Sequence, residues 1–511
     1  MHTSISIGFA IIMMSSTIKV HADAEPMQAG KFQPTWKSLK QYQCPVWFRD
    51  AKFGIWAHWG PQCQPEKGDW YARAMYETGS WQNNWHVEHD GDPAKFGFKD
   101  VIHEWKAEKW DPEKLVALYK RVGAQYFFAM ANHHDNFDNW NSKYQPWNSV
   151  RVGPKKDLIA GWAKAARDNG LRFGVSVHAA HAWSWYEPSQ KYDGNLTKAD
   201  GKGLWWDGLD PQDLYAQRHT PGKKLEWDWD ATKGSSVPDA AYCRKFYNRT
   251  IDLINKYKPD LIYFDDTALP LWPVSDVGLK IAADFYNRTP QGVLFGKVLN
   301  EEQRQCMTWD IERGAPNQIE PLPWQTDTCI GSWHYDRSIY DQHRYKSART
   351  VIHMLADIVS KNGNLLLSIP VRADGTIDDD EAKIAEGIAK WMDVNKECIF
   401  GTRPWKVFGE GPATDGAPIK AQGFNEGQGR PLTAEDIRFT TRGNTLFAIV
   451  LGVPDKPLRI KSLAGEKIAG IQLLGGNEKL HWTQSADALT IEPPETEPSD
   501  IAIVFKVALE P

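Results

Sequence analysis

Apolar positions along this chain follow two patterns, and the change comes near residue 400. Before it, short unbroken apolar runs alternate with segments whose apolar residues recur every three to four positions. The runs at 53–60, 125–130, 171–178, 261–266 and 292–300 are too continuous to leave one face in water. They read as strands buried on both faces, as in a parallel sheet. Amphipathic helices stand between them. Asp111 followed by Pro112 starts one that stops at Gly123, and others are predicted at 154–167, 240–258, 351–360 and 379–397, the last two around the run 364–369. Repeated strand and helix argue for an α/β fold with a parallel sheet. His58, His133, His134, His178 and Asp265 all fall at strand C-termini. Polar groups converging there argue that the sheet closes into a TIM-like (β/α) barrel with its chemistry at one mouth. An open doubly wound sheet is the alternative, but no Gly-rich phosphate loop follows a strand.

After Gly401-Thr-Arg-Pro-Trp405 the pattern changes. Gly and Pro cluster through 409–431, and short alternating runs follow at 436–441, 445–451, 458–463, 468–474, 488–491 and 501–507. Arg442-Gly-Asn444 reads as a hairpin turn. This predicts an all-β sandwich of about one hundred residues, with no catalytic cluster of its own. The domain reading is therefore a signal peptide at 1–24, a catalytic barrel at 25–400 and a C-terminal β-sandwich at 401–511. The leader rests on the apolar run 5–14 and the cleavage site Ala22-Asp-Ala24, although only His2 stands where basic residues are usual. Its run is too short to span a bilayer. A periplasmic or secreted protein without a membrane span is expected.

A net charge of −5 over 511 residues gives no basic surface for nucleic acid. The 25 tryptophans suit both cores and sugar-binding surfaces, since an indole face packs on the C–H face of a pyranose. The six cysteines form no CxxC pair or metal-finger spacing and are expected to be mostly free. Asp265 and Asp266 end the apolar run 261–264, where a barrel places catalytic acids, although caps or a lysine partner would also explain them. Glycoside hydrolysis with retention needs a second carboxyl group about 5–5.5 Å away. Trp309-Asp-Ile-Glu-Arg313 offers Asp310 and Glu312, and Glu320 follows. Adjacent His133 and His134 would point to opposite faces of an ideal strand, which makes a shared metal awkward. They read as hydroxyl binders or as buried structural histidines. His86 and His89 fall in a segment read as a loop from its Asn, Asp, Gly and Pro content, with weak metal potential. No metal or cofactor is expected.

Seven motifs in order then carry a resemblance over residues 47–405. They are Ala51-Lys-Phe-Gly-Ile-Trp-Ala-His-Trp-Gly60, Asp69-Trp-Tyr71, His133-His-Asp135, Trp147-Asn-Ser149 with Gly153-Pro-Lys-Lys-Asp-Leu158, Pro259-Asp-Leu-Ile-Tyr-Phe-Asp265, Gly363-Asn-Leu-Leu-Leu367 and Gly401-Thr-Arg-Pro-Trp405. The chain resembles glycoside hydrolase family 29, the retaining exo-α-L-fucosidases. The resemblance implies that Asp265 is the nucleophile, while Asp266 stands where glycine is common. It implies that His58, His133 and His134 hold sugar hydroxyls and that Trp70 walls the pocket. Asp69 matches a hydroxyl-binding position that is often Glu, and His178 a strand end where many members carry Tyr-Ser. Alignment back from Pro323-Trp324 puts the acid/base at Glu312, with Glu320 in reserve and Trp324 among the substrate-binding residues. The implied partner is a glycan bearing terminal α-L-fucose; the oligomeric state is left open. Because an apolar pocket discriminates poorly against an added hydroxyl, an α-L-galactosidase acting on algal galactan of the porphyran or agar type is a second reading. A catalytically silent glycan-binding protein is a third, opposed by the cost of holding two buried carboxylates close together.

Overall fold

A computed structural model describes residues 23–414 and 425–510, so the predicted leader lies outside the described residues as far as residue 22. Eight strands, β1 Phe53–Ala57, β2 Tyr126–Asn132, β3 Arg172–Val177, β4 Leu261–Phe264, β5 Val293–Gly296, β6 Thr308–Asp310, β7 Trp324–Cys329 and β8 Gly363–Ser368, form a closed barrel. Every pairing is parallel, and β8 meets β1 with Leu365 opposite Phe53. Because strand side chains alternate, each strand feeds two packings. Trp56, Tyr126, Phe128, Leu261, Tyr263, Val293, Phe295 and Leu366 share one buried cluster inside the barrel, with Phe48 joining it from the helix Val46–Ala51. Ile55, Phe127, Val175, Ile262, Leu294 and Leu367 face the helices. Large interior rings need small partners. A Cβ on Gly54 would stand 2.1 Å from the Tyr126 ring, and one on Gly174 2.7 Å from that of Phe128.

β6 and β7 escape the hydropathy pattern because their interior contacts are polar. Gln325 donates to Asp310 Oδ2 at 2.8 Å and accepts from Tyr126 Oη at 2.9 Å. The segment read as a loop around His86 is instead a helix, Trp81–His89, capped by the Ser80 hydroxyl, which accepts from Asn83 N–H. Of the polar residues taken as loop formers, Asn84 lies on the exposed face, Asp90 is the C-cap, and Asn83 is buried and donates to the Met75 carbonyl at 2.7 Å. His86 lies buried with Nδ1 2.7 Å from Tyr71 Oη and Nε2 2.8 Å from the Phe96 carbonyl oxygen, so both ring nitrogens are engaged; His89 is exposed and stacks on Trp85.

Beyond the barrel, β9 Arg403–Glu410, β10 Ile437–Arg442, β11 Thr445–Val450, β12 Leu458–Ile460, β13 Ile468–Leu473, β14 Trp482–Gln484, β15 Leu489–Ile491 and β16 Ile503–Leu509 form two sheets ordered β13-β16-β11-β10-β9 and β12-β15-β14. β9 and β14 are not foreseen by the alternation. Leu446, Ala448, Val450, Ile503, Phe505 and Val507 pack with Leu458, Leu489 and Ile491 between the sheets. Phe447, Ile449, Ala502 and Val504 pack on the barrel's helices. The central strands are thus buried on both faces. Arg438 crosses this contact and donates to Asp357 Oδ1 at 2.6 Å, in the helix Ala348–Ser360. All six cysteines are free thiols. Among the described residues, no helix is long and apolar enough to cross a membrane.

Candidate active site

A cavity of about 520 Å³ opens at the C-terminal end of the barrel. β4 stops at Phe264, so Asp265 is the first side chain past its lip. Lys297 follows the end of β5 and Glu312 stands two residues past β6. Each precedes a residue with left-handed backbone, Val298 at φ 43° and Arg313 at φ 47°. A β-branched residue in that region is a strained conformation of the kind found at functional sites. β2 carries a bulge between Met130 and Asn132. A bulge re-aims the residues beyond it, and His133 and His134 lie past the strand end. Both line the cavity, with ring centroids 4.4 Å apart. The expected opposition of two adjacent strand residues therefore does not hold. Asn132 Oδ1 accepts the backbone N–H groups of His178 and Ala179 at 3.1 and 3.2 Å, which fixes the end of β3 against that of β2.

Three groups surround the Asp265 carboxylate. Its Oδ1 accepts from Lys297 Nζ, and its Oδ2 lies 3.2 Å from His134 Nε2 and 3.1 Å from His178 Nδ1. Burial opposes its ionisation, but the Lys297 ammonium and the two histidine hydrogen bonds prevail and hold it well below the usual carboxylate range. Lys297 Nζ also donates to Glu312 Oε2 at 2.5 Å. Burial is the largest influence on Glu312; Asp327 and Asp265 add to it against Lys297, and the carboxyl is raised to about 7. The neighbouring carboxylates in turn hold the Lys297 ammonium well above its ordinary range despite burial. One ammonium in contact with both acids keeps their nearest oxygens within two hydrogen-bond lengths. That bound is shorter than the roughly 6.5–9.5 Å at which inverting glycosidases hold their carboxyl groups.

Asp266 turns away from Asp265 and is buried with one oxygen 2.7 Å from His181 Nε2; burial, and then the charge of Asp265, raise it well above the usual range. Beneath the acids, Tyr263 Oη donates to Asp327 Oδ2 at 3.0 Å. Asp310 is buried at the end of β6, and burial with the charge of Asp327 raises it well above the usual carboxylate range.

His58, His133 and His334 form the cavity floor, each buried, with ring centroids 4.7 to 5.1 Å apart. Burial first, and then neighbouring imidazoles, depress His58 and His133 well below the ordinary histidine value, so both are neutral. Neither nitrogen of His58 or His334 has a hydrogen-bond partner. Such buried groups call for a polar ligand. The nitrogens of His58, His133 and His334 lie within 4.8 Å of one another, as do the ligand atoms of His133, His134, His178 and Asp265. The hydrogen bonds favour hydroxyls over a cation. Ala72 N–H fixes Gln62 Oε1, leaving the amide N–H to face His133 Nδ1 at 2.8 Å. The ring proton of His133 then sits on Nε2, which is a donor and not a metal ligand. Both nitrogens of His134 face oxygens, that of the His178 carbonyl at 2.7 Å and that of Asp265.

Of the residues singled out from sequence, His58, Asp69, Trp70, His133, His134, His178, Asp265 and Glu312 line the cavity. Three stand differently from expectation. Asp69 spends its carboxylate on the backbone N–H groups of Trp333 and His334, at 3.3 and 2.7 Å, and so anchors the loop carrying His334. Glu320 lies at the opposite end of the barrel, paired with Arg304 at 3.3 Å. Trp324 opens β7 at that same end, fully buried, its indole N–H donating to the Lys361 carbonyl at 2.9 Å. Lys297, Trp227, Asp327, Trp333 and His334 line the cavity without having been foreseen. For Lys297 the signal was present, a charged residue ending an apolar strand. Trp227 and His334 sit in loops, where periodicity is silent.

The profile of the Alpha-L-fucosidase family matches residues 19–397, and that of the Alpha-L-fucosidase C-terminal domain matches residues 430–508. The tissue alpha-L-fucosidase of Rattus norvegicus is 26% identical over 496 residues, covering 94% of this chain and 91% of that protein. That of Homo sapiens is 26% identical over 491 residues, covering 93% and 90%. A solved alpha-fucosidase of Thermotoga maritima, in complex with a mechanism-based inhibitor, has a TM-score of 0.71 at 26% identity, covering 93% of this chain and 100% of that one.

Proposed function

Because the chain belongs to the alpha-L-fucosidase family, we propose that it is a retaining exo-α-L-fucosidase in which Asp265 is the nucleophile and Glu312 the acid/base. The convergence of these two carboxyl groups on Lys297 carries the reading. Near neutral pH, Asp265 is ionised and Glu312 retains its proton, the division of labour that the reaction needs. Asp265 attacks the anomeric carbon while Glu312 protonates the departing oxygen. The glycosyl ester then neutralises Asp265. Loss of that negative charge, with Lys297 still in contact, makes Glu312 more acidic, and as a carboxylate it takes the proton of the attacking water. His58 and His133 present neutral imidazoles to the sugar hydroxyls, His178 donates to the nucleophile, and Trp70 walls the mouth. Trapping with a 2-fluoro fucoside followed by peptide mass analysis tests the assignment. The label belongs on the peptide containing Asp265, and a label elsewhere removes the nucleophile.

One observation favours a second reading, hydrolysis of α-L-galactosides. The Nε2 atoms of His178 and His334 are buried without a hydrogen-bond partner, and a hydroxyl on C6 would add one more polar group to the pocket. A paired assay on aryl α-L-fucoside and aryl α-L-galactoside decides between them by the faster kcat/KM. Export through cleavage after Ala24 belongs to the same proposal. N-terminal sequencing of the mature protein tests it, and a retained Met1 would refute it.

A further inference from the structure

Glu312 sits in the segment that follows β6, and two parts of the chain hold that segment. The barrel holds one side. Ile311 N–H donates to the Gln325 carbonyl at 2.9 Å, Arg313 N–H donates to the Asp327 carbonyl at 2.8 Å, and the Ile311 carbonyl accepts from Thr326 Oγ1 at 2.7 Å. Residues 425 and 426, between β9 and β10 of the C-terminal sheets, hold the other side. Glu426 N–H donates to the Arg313 carbonyl at 2.8 Å. The Asn425 side chain pairs twice with the backbone of Ala315. Its Oδ1 accepts the N–H and its Nδ2 donates to the carbonyl, each at 2.9 Å. The fit is close, since a Cβ on Gly314 would stand 2.9 Å from Asn425 Oδ1. Asn425 is 7% exposed, so these bonds are shielded from competing water.

Glu426 anchors these two residues to the barrel mouth. Its Oε1 lies 2.6 Å from Lys346 Nζ, and its Oε2 accepts from Thr328 Oγ1 at 2.6 Å, near the C-terminal end of β7. Lys346 also donates to the Cys329 carbonyl at 2.5 Å, which ties the cation to the same strand end. Arg313, gripped between Asp327 and Glu426, is the residue with left-handed backbone. A non-glycine residue stays in that region only where its surroundings over-determine it. The backbone of Arg313 in turn sets where its neighbour Glu312 points. From this arrangement we infer that Asn425 and Glu426 are positioning residues for the acid/base, so that the C-terminal sheets complete the catalytic apparatus of the barrel. Both act through the loop that carries Glu312, not on the sugar. This rests on the reading of Glu312 given above.

The test uses two leaving groups on the full chain. Dinitrophenolate departs as a stable anion and needs no proton. Phenolate, the base of an acid with a pKa of about 10, needs one from Glu312. Only the first, glycosyl-transferring half of the reaction sets kcat/KM, so the ratio of phenyl to dinitrophenyl α-L-fucoside kcat/KM reports proton delivery. In Asn425→Ala that ratio should fall roughly tenfold to a hundredfold, the loss that follows when a catalytic group is displaced by about 1 Å, with kcat/KM for the dinitrophenyl substrate nearly unchanged. Glu426→Ala should show the same pattern and provides the ratio should Asn425→Ala fold poorly. Glu312→Ala should lower the ratio further. Adding Asn425→Ala to it should cost nothing more, because the two residues act as one unit. An unchanged ratio in Asn425→Ala, whether both rates hold or fall together, overturns the inference and leaves Glu312 in its role. A double variant whose ratio falls by the product of the two single losses overturns it likewise. If Glu312→Ala leaves the ratio intact, the acid/base reading fails and this inference fails with it.

Discussion

Lys297→Met should move the whole pH profile toward alkaline pH. In the wild type a single ammonium touches Asp265 and Glu312 and lies within the field of Asp327. Methionine keeps the length and apolar volume of the side chain but removes its charge, leaving carboxyl groups at the barrel mouth without their cation. Breaking a buried pair in this way costs about 3–5 kcal/mol. Protonation relieves that cost, so both carboxyl groups become weaker acids. The active form needs Asp265 ionised and Glu312 protonated. The acidic limb of kcat/KM follows the first and the basic limb follows the second, as macroscopic values of the coupled set. Both limbs therefore rise. At neutral pH, kcat/KM should drop by roughly 10²- to 10³-fold, with partial recovery at higher pH as Asp265 ionises. The assay is kcat/KM on an aryl α-L-fucoside from pH 4 to 10, with Lys297→Arg as the variant that keeps the charge and should keep the limbs. A fall in rate with both limbs unmoved, or moved to lower pH, would refute the electrostatic role and reduce Lys297 to a spacer.

Arg438→Met should destabilise the protein by roughly 3 kcal/mol, because it strands a largely buried Asp357 with Lys361 as its remaining partner. Burial opposes ionisation of Asp357, but Lys361 and Arg438 hold it at about 2, below its unfolded value, so its contribution is present above about pH 4 and is lost as pH falls through 2. The defect in denaturant midpoint should accordingly shrink with acidification, and an equal defect throughout would contradict this. Lys52 is fully buried with no partner for Nζ, and burial, then Arg403 and Arg49, bring it down to about 7. Lys52→Met should therefore raise stability, by a few kcal/mol at pH 6 and by less at pH 9, since the cost of burying the amine grows as pH falls below the unfolded value near 10.4; a lower melting temperature at pH 6 would refute it. Val298→Gly should relieve the left-handed strain and raise the melting temperature by one to a few degrees, an effect of about 1 kcal/mol, and no change would show that the loop holds that conformation without strain.

The sequence by itself determined the barrel, because a strand buried on both faces must be a continuous apolar run and a helix beside it must carry a stripe, and both periods are local properties of the chain. It determined Asp265 as well, since a carboxylate ending such a run has to stand at the barrel's lip. The C-terminal sheets are legible for the same reason, except β9 and β14. Elsewhere locality fails. β6 and β7 carry polar interiors in which Gln325 bonds to Asp310 and Tyr126, so their burial is invisible before the strands meet. His133 and His134 share one cavity because both lie past the end of β2, where strand alternation no longer holds, and His86 is held by Tyr71 and Phe96 in a helix that its neighbours in sequence disfavour. What only the tertiary structure decided is the electrostatic state of the site. Thirty-two residues separate Asp265 from Lys297 and 47 separate it from Glu312, and their ionisation depends on through-space fields and on the exclusion of water, neither of which exists until the loops after β4, β5 and β6 close over the same cavity.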